Sequence, residues 1–202
     1  MHALGYEQFF VLGHDRGARV SHRLAVDFPQ SVRKLMLLDI SPTLTMYDKT
    51  TMAFAKGYWH WFFLIQPEPV PETMIGANPE YWLKNHMGRH AGTGIFSPDR
   101  WSEYLSGASD PKSMHAMCED YRAAATIDLV HDRSDRKDGK KLEMPVRVLW
   151  GEHGLVNQCF TPIADWQAVS NGEVTGRAVA CGHYIPEELP ELVIQEAKAF
   201  FQ

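Results

Sequence analysis

The chain has 202 residues, 45% hydrophobic and 22% charged, with a formal net charge of −5, a composition that supports a sizeable buried core. No apolar run is long enough to span a bilayer and no basic, apolar leader precedes the first expected strand, which points to a cytoplasmic protein with no membrane partner. The acidic balance offers no basic surface for nucleic acid; Cys118, Cys159 and Cys181 lack metal-ligand spacing and read as free thiols.

Four apolar runs, over 8–12, 34–39, 146–150 and 174–180, predict strands. After the first, Val20, Leu24 and Phe28 define one face of a helix that Pro29 ends. Pro190 opens a last helix carrying Val193, Ala197 and Phe200 or Phe201. Strands alternating with helices make a parallel, right-handed α/β core over 1–42 and 141–202. Between them, 43–140 does not read as βαβ and is expected to form a helical cap. Its part 46–64 is aromatic-rich, Gln66-Pro67-Glu68-Pro69-Val70-Pro71 reads as a stiff extended connector, and helices are expected around 79–89, 99–107 and 111–125. The charged run from His131 to Lys141 reads as a solvated loop.

The chemistry sits at strand ends. Phe9-Phe10-Val11-Leu12-Gly13-His14-Asp15-Arg16-Gly17 is strand, sharp turn, helix, with glycines two residues either side of an acid. Gly13-x-Asp15-x-Gly17 has the form of the G-x-S-x-G nucleophile elbow of α/β-hydrolases with aspartate in place of serine. An aspartate is already an anion at neutral pH and can displace a leaving group from saturated carbon, forming an ester that a second step must hydrolyse. The same residues fit an aspartate that merely caps the helix. Asp39 closes the second strand, and His183 follows the last strand in Cys181-Gly182-His183-Tyr184. Nucleophile, acid and histidine thus run in the order Asp15, Asp39, His183. The turn after the third strand, Trp150-Gly151-Glu152-His153-Gly154, holds no aspartate, which favours Asp39 as the acid.

These residues, with Leu38-Asp39-Ile40-Ser41-Pro42-Thr43, Tyr58-Trp59-His60-Trp61, Cys118-Glu119-Asp120-Tyr121-Arg122-Ala123 and Gly182-His183-Tyr184-Ile185-Pro186-Glu187-Glu188, make the chain resemble the bacterial fluoroacetate (haloacetate) dehalogenases. The resemblance implies an α/β-hydrolase fold, partial, holding the C-terminal part of the parallel sheet with the helical cap inserted between strands. It implies that Asp15 is nucleophile, His183 base and Asp39 its orienting acid. Arg16 and Arg19 match the positions that hold the substrate carboxylate, and His60, Trp61 and Tyr121 those that bind the halide. The implied reaction turns a small haloacid into glycolate and halide without metal or cofactor, and cap aromatics can also serve homodimer packing.

Two arginines three apart on a first helical turn can converge on one anion, although the same spacing fits arginines pairing with surface acids. His60 and Trp61 are adjacent, so on a regular helix they point about 100° apart and read as readily as packing residues. Roughly the first third of the family's chain has no counterpart, including the loop that supplies a second oxyanion N–H, so a fragment or an internal start is expected and the first strand becomes an open apolar edge. Met46 and His90 stand where relatives carry aromatic pocket residues. An epoxide hydrolase using the same aspartate chemistry, or a truncated relative with impaired catalysis, is the alternative.

Overall fold

The structure is a computed structural model that describes residues 1–88 and 92–202. In chain order it contains β1 (Phe9–His14), α1 (Arg16–Asp27), β2 (Val32–Leu38), α2 (Thr43–Asp48), α3 (Met52–Gly57), α4 (Trp59–Leu64), α5 (Val70–Ala77), α6 (Pro79–Met87), α7 (Pro98–Ser109), α8 (Pro111–Ala125), α9 (Ile127–Asp138), β3 (Val146–Gly151), α10 (Leu155–Cys159), α11 (Pro162–Gln167), β4 (Val174–Val179), α12 (Ile185–Glu188) and α13 (Pro190–Phe200). The four strands form one parallel sheet in the order β1-β2-β3-β4. Two compact units result: Met1–Lys49 with His131–Gln202, which holds the sheet, and Thr50–Val130, whose described regular elements are all helices.

In the sheet-bearing unit the two-residue period of β2 and β3 sends apolar side chains to both faces. Leu35, Leu37, Val146 and Val148 pack with Ala18, Ala25, Val26 and Trp166 on one side. Met36, Leu38 and Leu149 pack with Val179, Ile185, Val193 and Phe200 on the other. A parallel sheet covered by helices on both faces needs this pattern.

The face of α1 that meets this core differs in part from the one read in the sequence: Leu24 packs against it, but Val20 and Phe28 do not. Val20 and Phe28 are 62% and 60% exposed, and the buried residues are Ala18, Arg19, Ser21, His22, Ala25 and Val26. The reason is close approach. A Cβ on Gly13 would lie 2.7 Å from the Ala18 Cα and 2.6 Å from the Ser21 Oγ, so the helix runs too near the strand for large side chains and turns its small ones inward.

The run from His131 to Lys141 is also not a loop as far as Asp138, because it continues α9. Its charges find partners inside the unit: Asp135 pairs with Arg23 at 2.6 Å, Arg136 donates to the Thr45 Oγ1 at 2.7 Å, and Asp132 accepts from the Leu44 N–H at 3.2 Å. Residues 43–49 and 131–140, read above with the cap, accordingly belong to the sheet-bearing unit.

His22 lies in that unit with its ring edge-on to Trp166 at 5.0 Å. Burial, helped by the neighbouring Arg23 charge, pulls its pKa down to about 4. The fold therefore prefers the neutral ring: the stability it confers is complete above pH 6.5 and is lost as pH falls towards 4, a loss of about 3 kcal/mol. Urea unfolding midpoints across that window should fall for the parent chain and fall less for His22→Leu.

The helical unit is built on rings. Phe54 meets Tyr58 and Trp61 edge-on at 5.4 and 5.3 Å, and Leu64, Ile75, Cys118 and Tyr121 are buried with them. The proline-rich connector is shorter than expected, because α5 begins at Val70 and Pro71 sits in its first turn, where a missing N–H costs nothing. Arg122 of α8 ties to Glu72 of α5 at 2.8 Å. The helix expected to reach Arg89 is described to Met87, and both Arg89 and His90 lie outside the described residues. Among the described residues no helix is long and apolar enough to cross a membrane.

Candidate active site

β1 ends in a turn that inverts the chain within one residue. Asp15 takes φ 46° and ψ −118°, a conformation that costs a non-glycine residue about 1–3 kcal/mol and persists where the surroundings impose it. Its N–H still bonds to the Leu38 carbonyl at 3.2 Å, so the strand ladder holds the turn in place. Of the two flanking glycines only Gly13 is required by crowding; a Cβ on Gly17 would meet nothing within 4 Å.

Asp15 occupies the N-cap position of α1, yet its side chain makes no capping bond. Its Oδ2 instead lies 3.3 Å from the Nε2 of His183. The other ring nitrogen, Nδ1, lies 2.5 Å from the Oδ2 of Asp39, and the second oxygen of Asp39 accepts from the Gly151 N–H at 2.8 Å. Asp39, like Asp15, has a positive φ, 53°. The structure thus brings Asp15, His183 and Asp39 into one line at the carboxyl ends of β1, β2 and β4. Gly151 is needed here, because a Cβ would stand 2.0 Å from the Gly182 carbonyl. Gly151→Ala should push the His183 turn away, destabilise the fold by about 3 kcal/mol and shift the denaturation midpoint accordingly.

The charges follow from this geometry. Burial opposes a charged His183, but the hydrogen bonds and negative charges of Asp15 and Asp39 outweigh it and push its pKa up to about 10. Burial likewise disfavours an ionised Asp15, but the hydrogen bond from His183 and the charges of His183, His14 and Arg19 hold its carboxyl well below the usual range. At neutral pH the centre is an imidazolium between carboxylates, and one carboxylate sits on a strained turn at the end of a strand. Such an arrangement can attack carbon or move a proton.

Around it, Arg19 is buried; its Nη1 donates to the Ser41 carbonyl (3.3 Å) and Thr43 Oγ1 (3.1 Å), and its Nη2 to the Met46 sulfur (3.1 Å). Arg16 follows Asp15 directly and is partly buried. In the helical unit His60, Trp61 and Tyr121 are all buried, and the Tyr121 ring stands edge-on to both, 5.7 Å from His60 and 6.3 Å from Trp61. Three donor-bearing rings are therefore adjacent although two come from neighbouring positions of one short helix.

Two groups that hold the His183 turn were not singled out from the sequence. Glu188 accepts from the N–H of Gly182 (2.8 Å) and of Tyr184 (3.0 Å), and the His14 Nε2 lies 2.8 Å from the His183 carbonyl. Their only local signal is membership of the two motifs that flank the site, Gly13 to Gly17 and Gly182 to Glu188.

A nucleophile-type turn after a parallel strand, an acid after the next strand and a histidine after the last define an α/β hydrolase. A family model described as alpha/beta hydrolase fold matches residues 1–190, and the chain belongs to that family. Among particular relatives, it is 37% identical over 193 residues to the fluoroacetate dehalogenase of Burkholderia sp, an alignment covering 95% of the chain and 62% of that enzyme. It is 29% identical over 202 residues to the soluble epoxide hydrolase of Corynebacterium sp. (strain C12), covering 98% of the chain and 68% of that protein. The crystal structure of ALR0039 from Nostoc sp PCC 7120 superposes with a TM-score of 0.95 at 51% identity, over 100% of the chain and 69% of the other.

Proposed function

We propose that this chain hydrolyses haloacetates, fluoroacetate or chloroacetate, to glycolate and halide through an ester of Asp15. One observation carries the reading: the Asp15 side chain turns from its helix end to the Nε2 of His183, at 3.3 Å, as a nucleophile served by that imidazole should. The likeness to a fluoroacetate dehalogenase supports it.

In the first step an oxygen of Asp15 attacks the α-carbon in line; a C–O bond forms, the carbon–halogen bond breaks, and the halide leaves with the electron pair. Arg16 and Arg19 hold the substrate carboxylate, a task suited to planar cations beside the nucleophile. His60, Trp61 and Tyr121 supply ring N–H and O–H donors to the departing halide. Esterification removes the Asp15 charge and with it one of the groups that raise the His183 pKa, so the imidazolium releases its proton to solvent water, the one proton freed per turnover, and becomes a base. In the second step His183 takes a proton from water, whose oxygen adds to the Asp15 carbonyl carbon. The bond from that carbon to the alkyl oxygen then breaks, and the proton passes to the leaving glycolate. Asp39 keeps Nδ1 protonated and the ring oriented.

An epoxide hydrolase is the second reading. It is favoured by the likeness to the Corynebacterium enzyme and by two buried phenols, Tyr58 and Tyr121, in the helical unit. The assay that separates them measures halide released from fluoroacetate and chloroacetate against diol formed from a simple epoxide. Halide without diol is expected; diol without halide reverses the assignment, and neither product favours an impaired relative.

A further inference from the structure

The order of the sheet creates a mechanical problem for its histidine. β1 and β4 are the two outer strands of the four, about 14 Å apart at three spacings of ~4.8 Å. Asp15 follows β1 and His183 follows β4, so the turn after β4 has to reach back across the ends of β3 and β2. Asp39 fixes one edge of the imidazole at 2.5 Å. It does not fix the main chain from which the ring hangs.

Two peptide groups of that turn, 181–182 and 183–184, are anchored by side chains. Glu188 takes the N–H groups of Gly182 and Tyr184 at 2.8 and 3.0 Å, holding the turn from its own side of the sheet. The carbonyl of His183 itself lies 2.8 Å from the Nε2 of His14, the last residue of β1. A carbonyl can only accept, so His14 Nε2 carries the hydrogen and donates. The two rings also pack, with centroids 4.9 Å apart and planes tilted by 43°, and Tyr184 closes edge-on at 6.3 Å from His14. Burial and the neighbouring His183 charge both lower the His14 pKa.

We propose that His14 is a positioning residue for His183: its Nε2–H clamps the His183 carbonyl to the end of β1 and so sets the distance between the imidazole and residue 15. The inference rests on the proposed ester of Asp15. It says that the clamp matters most after the ester has formed, when the ion pair between Asp15 and His183 is gone. An error of a fraction of an ångström at that stage misplaces the base relative to the attacking water.

His14→Phe keeps a ring against His183 and Tyr184 but removes the donor, and His14→Gln restores a donor at similar reach. In the 202-residue chain with fluoroacetate or chloroacetate, His14→Phe should lower kcat about tenfold, the worth of one hydrogen bond, with kcat/KM unchanged because the first step is intact, so that KM falls with kcat. The first-turnover burst of halide should keep its rate while ester on Asp15 accumulates, and His14→Gln should recover most of kcat. Equal loss of burst and turnover, or an unchanged kcat in His14→Phe, overturns the proposal. A second measurement needs no substrate: the strongly downfield proton resonance of the His183 Nδ1–H should move or broaden in His14→Phe and return in His14→Gln. A resonance identical in all three proteins overturns the clamp. Absence of halide from the parent chain would refute the haloacetate reading, and the resonance would still decide on His14.

Discussion

Asp15→Ala is expected to lower kcat for haloacetate by at least about 10⁴-fold, the scale set by removing a covalent nucleophile, while circular dichroism shows the fold retained. The reason is that no nearby group can replace it: the other oxygens in the cluster belong to Asp39, which the His183 ring and the Gly151 N–H already engage. The same substitution makes a second, independent forecast. His183 is held at about 10 by two carboxylates working against burial. With Asp15 gone one of them disappears, burial gains weight, and the ring pKa should drop towards its ordinary value in an NMR titration. Because a raised imidazole pKa stabilises the fold below pH 6.5 and that stability is lost as pH rises through 10, the alkaline limb of the parent's stability profile should also flatten in this variant. Activity within about tenfold of the parent, or an unmoved His183 pKa, would remove Asp15 from its assigned place.

His183→Ala is expected to separate the two steps. Without the imidazole partner the Asp15 pKa rises, but the charges of His14 and Arg19 still oppose burial, so displacement of halide is expected to continue for one turnover. Water is then left without its base and steady-state turnover should fall by at least about 10³-fold. Mass spectrometry of the variant after exposure to chloroacetate should find one glycolyl group on the peptide carrying Asp15. In the parent, one turnover in isotopically labelled water should leave the label in the Asp15 carboxylate, because the attacking oxygen adds to that residue's carbonyl carbon. Halide release accompanied by an unmodified aspartate would mean that water attacks the substrate directly with Asp15 as general base.

The proposed clamp by His14 bears on how such a site can be read. Gly13-x-Asp15-x-Gly17 signals a strand, a strained turn and a helix, and the turn is there with a positive φ at Asp15. Asp39 after the second strand and His183 after the last were legible for the same reason: a parallel strand delivers its next residue to one edge of the sheet. The inward face of α1 was partly misread, because hydrophobicity marks Val20 and Phe28, whereas the approach of the helix to β1 is decided by Gly13 against Ala18 and Ser21, a matter of volume.

What local pattern could establish was therefore the parallel α/β core, the ends of its strands and the residue types exposed there, since each depends on a short stretch of backbone and its period. The ion pairs that dock the helix over 131–138, the grip of His14 on the His183 turn and the packing of Tyr121 against His60 and Trp61 depend on residues tens to more than a hundred positions apart. Their energies arise only when folding removes water from both partners at once. A charge run or a lone histidine carries no mark of the partner it will meet.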